Sequence, residues 1–222
     1  MSEDSLHEVA LTDEEKDTIL AYCGTDPILV GGQALAVWAT WFKIETPAEL
    51  SDKVTTDVDF IGSKANAGAL NKHLKWTMWK PEMGNHTSQT AKLTKLVENN
   101  GVKQIDFLSS IIGLDTSEIR KRAVSLALPP ATKINVLHPV HVMVSRLKNL
   151  QLLLEKQNAI GVAQARLSIK IVAAFLEDRI AADGSHGALK WIERVADIAL
   201  DNSLGNTLDQ YGFGLPNIPW TP

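Results

Sequence analysis

The chain has 222 residues, 45% of them hydrophobic and 22% charged, which is enough to bury one large core or two modest ones and matches ordinary globular composition. Its single cysteine, Cys23, excludes an intramolecular disulfide framework and is expected of a chain kept in a reducing cytoplasm. A net charge of −4 argues against a protein that coats nucleic acid by bulk charge.

The charge is uneven. Residues 1–60 carry 3 Lys/Arg against 13 Asp/Glu, residues 61–125 carry 10 against 5, and residues 126–222 carry 9 against 8. An acidic first third followed by a lysine-rich middle suits a phosphate-bearing substrate. The N-terminus is acidic, with no basic-then-apolar leader pattern. The apolar run from Ala34 to Phe42 falls short of the roughly 20 residues that span a bilayer, so a soluble cytoplasmic protein with no membrane partner is expected.

Thr12, followed three residues later by Glu15 in an acidic first turn, predicts a capped helix that Gly24 ends. Ile28-Leu29-Val30 reads as a buried strand stopped by Gly31-Gly32, and Gln33 to Lys43 as a helix apolar on nearly every face. After a polar connection, Thr55 to Ile61 forms a second strand. A short helix over 65–73 follows, then strands at Trp76 to Trp79 and Ala91 to Val97. Asn99-Asn100-Gly101 is a turn leading into the strand Lys103 to Leu108. Up to here the pattern is α/β with a mixed sheet and flanking helices. Past Pro129-Pro130, a strand at Ile134 to Leu137 leads to His138-Pro139. From Val140 to Leu200 the apolar spacing is helical and fits three amphipathic helices, with breaks at Gly161 and at Asp183-Gly184. The expected division is an α/β core over 1–130 and an α-helical C-terminal domain over 131–222. The tail from Tyr211 is expected to be extended or disordered.

Asp57 and Asp59 are two apart on a strand, so both carboxylates leave the same face. Side by side they repel unless cations lie between them, and Mg²⁺ takes oxygen ligands and phosphate partners. Asp106, in an Ile-Asp-Phe setting on a later strand, would complete a three-carboxylate cluster if the two strands are neighbours. Gly31-Gly32 at a strand-to-helix turn lets a phosphate approach free backbone N–H groups at a helix N-terminus. A metal grip beside a triphosphate grip is the minimal equipment of phosphoryl or nucleotidyl transfer.

Val30-Gly31-Gly32-Gln33-Ala34, Thr56-Asp57-Val58-Asp59-Phe60 and Ile105-Asp106-Phe107 together resemble the DNA polymerase β-like nucleotidyltransferase superfamily, and within it the AbiEii-type and minimal nucleotidyltransferase toxins. The resemblance covers about residues 25–150. It implies the nucleotidyltransferase fold and two Mg²⁺ ions (Mn²⁺ as substitute) on Asp57, Asp59 and Asp106. The last of these would ligate one metal and activate the attacking group. It also implies a nucleoside triphosphate bound by Gly31, Gly32, Thr56 and a basic residue of the first C-terminal helix, Lys148 with Arg146 in reserve. The activity implied is transfer of a nucleoside monophosphate from the triphosphate to an acceptor hydroxyl. The acceptor would be a tRNA 3′ end, a protein or a small molecule, with a cognate antitoxin if the chain is a toxin. A second Lys-Asp pair usual in that group has only approximate counterparts in Arg166, Lys170 and Asp178. The alternatives are a catalytically idle member that binds nucleotide or a partner, and a small-molecule nucleotidyltransferase of the aminoglycoside-modifying type.

Lesser candidates are His138 and His141 as zinc ligands, and Ser109 and Ser110 as nucleophiles. Lys72, Lys75, Lys80, Lys92, Lys95 and Lys103, with Trp76 or Trp79, are candidates for an RNA-binding face.

Overall fold

A computed structural model describes residues 6–50, 57–82, 84, 87–128 and 132–214, and the chain divides into two compact units. The first takes the described residues of Met1–Ala34, Val54–Ile111 and Asp115–His138; the second takes the described residues of Leu35–Lys53, Ile112–Leu114 and Pro139–Pro222. The fold is α/β.

In the first unit eight strands form one mixed sheet. They are β1 (His7–Glu8), β2 (Ile28–Val30), β3 (Val58–Ile61), β4 (Thr77–Trp79), β5 (Gln89–Val97), β6 (Gly101–Leu108), β7 (Val124–Leu128) and β8 (Thr132–Val136). Their order is β4-β5-β6-β3-β2-β8-β7, and β1 adds to β6. The β2–β3, β4–β5, β5–β6 and β7–β8 pairs are antiparallel, whereas β3–β6, β2–β8 and β1–β6 are parallel. Side chains alternate across a strand. Val58 and Phe60 of β3 and Ile105 and Phe107 of β6 therefore share one face and are fully buried, with the Phe60 and Phe107 rings stacked 5.3 Å apart. Asp59 and Asp106 leave the opposite face. Burial of that aromatic pair fixes which way the carboxylates point, because a one-residue slip would exchange the two faces.

Three helices belong wholly to this unit: α1 (Asp13–Tyr22), α3 (Lys64–Leu74) and α4 (Thr116–Arg122). The predicted capping box opens α1: Glu15 N–H donates to Thr12 Oγ1 at 3.2 Å, and Thr12 N–H donates to Glu15 Oε2 at 3.0 Å. The turn at Asn99-Asn100 also forms, with both residues in the left-handed region, as a tight hairpin demands. Sequence patterning did not anticipate β1, α4 or β7. β1 spans two residues and α4 spans seven, too short for a periodic signal.

The helix α2 (Gly31–Trp41) begins in the first unit and continues into the second. The second unit also holds α5 (Pro139–Leu152), α6 (Ala159–Leu200) and α7 (Asn202–Gln210). Its core runs through Val140, Met143, Leu147 and Leu150 of α5, Ile169, Val172, Phe175, Leu176, Ile192 and Val195 of α6, Leu204 and Leu208 of α7, and Phe213. The predicted break at Asp183-Gly184 is present: Gly184 (φ 71°, ψ 172°) interrupts α6 in a conformation that only glycine adopts readily. The predicted break at Gly161 is not. Asn158 caps α6 there, its side chain accepting from Gly161 N–H at 2.9 Å, and Gly161 sits in the first turn with the Lys156 carbonyl against its Cα. α7 was also unforeseen; Asp201 caps it, accepting from Ser203 N–H and Leu204 N–H. At the start of the expected loose tail, Phe213 is buried. By length and composition Ala159–Gly184 could cross a membrane, but most of its most apolar window is buried within the protein.

Candidate metal centre

Asp59 lies on β3 between two neighbours, paired with Val30 of β2 on one side and with Asp106 of β6 on the other. Asp57 stands just before β3 begins. The parallel β3–β6 register thus joins carboxylates 47 to 49 residues apart in the chain. One carboxylate oxygen from each of Asp57, Asp59 and Asp106 lies within 4.8 Å of the other two. Among the described residues this is the one group of three or more His, Cys, Asp or Glu side chains that approach so closely.

Two oxygens bound to one Mg²⁺ at about 2.1 Å lie no more than about 4.2 Å apart, and on a larger ion somewhat more. Cis oxygens on an octahedral ion lie about 3 Å apart, so binding one ion would draw the three carboxylates closer together by side-chain rotation. Three hard oxygen donors with no sulfur or imidazole suit Mg²⁺ or Mn²⁺ rather than zinc. The cluster can hold a metal ion.

Gly31 adds a second feature. It follows Val30 directly, has φ +66°, and opens α2. A Cβ built on it would collide with Oδ2 of Asp59. Glycine is required here both for its dihedral and for the space that the carboxylate takes over its Cα. Gly32 is buried in the first turn of α2.

Asp106 is held by β5. Gln89 Nε2 donates to Asp106 Oδ1 at 2.6 Å, and Lys92 Nζ stands 3.6 Å from the same oxygen. Burial pushes the Asp106 carboxyl above its ordinary range; the Lys92 ammonium pulls it back, the negative charge of Asp57 raises it again, and the Gln89 hydrogen bond opposes. The net direction is upward. Sequence reading missed Gln89 and placed Lys92 on an RNA-binding face. The signal lay in the turn it did identify: with Val97 paired to Gly101, counting back along the hairpin sets Lys92 opposite Asp106.

Thr56 is outside the described residues. Arg146 and Lys148 are on α5 in the second unit, where Arg146 is buried and donates to Gln164 at 3.1 Å. Lys148 Nζ donates to Ser203 Oγ at 2.7 Å and Gln151 Oε1 at 3.0 Å. Lys95 and Lys103 pair with Glu15 at 3.3 and 2.6 Å and so tie α1 to the sheet. Ser109 Oγ donates to the Ser88 carbonyl. His138 and His141 are both buried.

Fold and site together define an α/β protein with a mixed sheet and a three-carboxylate cluster at its centre. No protein-family model matches the chain, and no curated protein matches it. Among solved structures it is similar to the crystal structure of JHP933 from Helicobacter pylori, at 11% identity over 91% of this chain and 90% of that one, with a TM-score of 0.38.

Proposed function

We propose that the protein is a metal-dependent nucleotidyltransferase of the polymerase β-like type, moving a nucleoside monophosphate from a triphosphate to an acceptor hydroxyl. The observation that carries this reading is the convergence of Asp57, Asp59 and Asp106, with Asp59 lying over the glycine that opens α2. The three aspartates would hold the divalent ions, and the Gly31-Gly32 turn at the N-terminus of α2 would receive a phosphate.

Bound Mg²⁺ would neutralise charge on the triphosphate and the developing charge of an in-line displacement. Asp59, fixed between β2 and β6, positions a ligand oxygen against the glycine turn. Asp106, by its resemblance to the third carboxylate of that family, would ligate one metal and help activate the incoming hydroxyl. The resemblance to AbiEii-type toxins makes a tRNA 3′ end the first acceptor to test and a cognate antitoxin the expected partner.

The test is incubation of the protein with each α-labelled nucleoside triphosphate, Mg²⁺, total RNA and cell lysate, beside Asp57→Ala and Asp59→Ala. Label transferred by the wild type and lost in both variants supports the proposal. Label absent throughout, or equal in all three, refutes it.

A further inference from the structure

The strand β5 carries two residues aimed at one atom. In an antiparallel pair, residues opposite each other share a face. Lys92 is paired with Asp106 and therefore stands on the carboxylate side of the sheet. Regular alternation would then send Gln89, three residues earlier, to the other side. It does not go there, because the register shifts between Gln89 and Ala91: Ala91 pairs with Phe107, but Gln89 pairs with Leu108, leaving Thr90 as the extra residue. The bulge returns Gln89 to the face of Asp106, where it makes the 2.6 Å bond to Oδ1. Thr90 is absorbed locally, its hydroxyl meeting the carbonyls of Gly62 at 2.8 Å and Phe107 at 3.1 Å. Bulges beside functional sites commonly re-aim a side chain in this way.

Lys92 is held as well as placed. Its Nζ donates to Gln104 Oε1 at 3.2 Å while standing 3.6 Å from Asp106 Oδ1, and Gln104 lies two residues before Asp106 on the same face of β6. Both β5 residues engage Oδ1.

We propose that Gln89 and Lys92 are positioning residues that set the metal affinity of the three-aspartate site in opposite directions. Gln89, delivered by the bulge, locks the Asp106 carboxylate in its ligating orientation. Lys92 is a resident cation that balances the cluster before metal arrives and repels the metal once it does. This inference rests on the three aspartates being a metal site and goes beyond it, since it assigns residues that ligate nothing. Groups that orient a metal ligand typically change affinity 10- to 100-fold when removed.

The test is Mn²⁺ binding to the full-length protein, followed by the paramagnetic resonance of free Mn²⁺, with metal-free melting temperature recorded in parallel. Gln89→Leu is expected to weaken Mn²⁺ binding by about tenfold or more while barely moving the metal-free melting temperature. Lys92→Met, and Lys92→Gln as a second variant that keeps a polar group near Gln104, are expected to tighten binding by about threefold or more; Lys92→Arg should behave as wild type. A merely structural lysine would lower the melting temperature on removal without tightening the metal. Wild-type binding that Asp106→Asn abolishes, together with unchanged affinity in the Gln89 and Lys92 variants, overturns this inference and leaves the metal site standing. No binding by the wild type overturns the site and the inference together.

Discussion

Gly31 and Asp59 constrain one another, and substitution at either should disturb both stability and metal binding. Gly31→Ala forces a side chain into the left-handed region and into the Asp59 carboxylate; the expected cost is about 1–3 kcal/mol of stability, read from denaturant unfolding, with loss of Mn²⁺ binding. Asp57 illustrates the opposite trade. Without metal its charge raises Asp106, so the two repel. Asp57→Asn is expected to leave the metal-free melting temperature unchanged or higher by a few degrees, while abolishing stabilisation by Mg²⁺ and triphosphate. A lower metal-free melting temperature would refute that repulsion. Cys23 is inert by the same logic of environment. Burial pushes its thiol up to about 11, so a thiol-specific reagent should label it only after unfolding.

At the scale of elements, α1 is tied to the sheet through one carboxylate. Burial alone would raise the Glu15 carboxyl, but hydrogen bonds from Lys103, the Thr12 N–H and Lys95 outweigh it and hold the group at about 2. A carboxyl depressed in the folded state stabilises the fold fully above its unfolded value, near 4.5, and loses that contribution as pH falls toward 2. Glu15→Gln keeps the capping box and removes the ion pairs. It should cost up to about 1 kcal/mol at neutral pH, and the difference from wild type should vanish as the pH drops through that window. A gap between variant and wild type that persists at pH 2 would contradict the assignment. In the second unit, Gly184 divides α6 with φ 71° and no neighbouring atom to obstruct a side chain, so Gly184→Ala tests backbone strain alone; about 1–3 kcal/mol of destabilisation is expected.

For the molecule as a whole, ligand binding and stability are linked. A triphosphate with Mg²⁺ at 100 times its dissociation constant adds about 2.7 kcal/mol, which for a chain of this length raises the melting temperature by roughly 5–10 °C. That rise should appear in wild type and be absent in Asp57→Ala and Asp59→Ala. A rise that needs no divalent ion, or that survives both substitutions, would place nucleotide binding elsewhere.

Much of this was legible in the order of residues. The Thr12–Glu15 box, the Ile28-Leu29-Val30 strand ending in two glycines, the Asn99-Asn100 turn and the break at Gly184 are local events, each decided by a few neighbouring side chains. The alternation of Asp57, Val58, Asp59 and Phe60 likewise determined that two carboxylates share a face once the segment is extended. What the chain could not settle by itself was pairing. That β3 lies beside β6 in parallel, with Asp59 opposite Asp106, depends on buried packing between segments 47 residues apart, as does the stacking of Phe60 on Phe107. The bulge that turns Gln89 toward Asp106, and the Glu15 contacts that take up Lys95 and Lys103, belong to the same class. Local propensity acts over a turn or a strand; register is set by burial across the sheet, and only the tertiary structure expresses it.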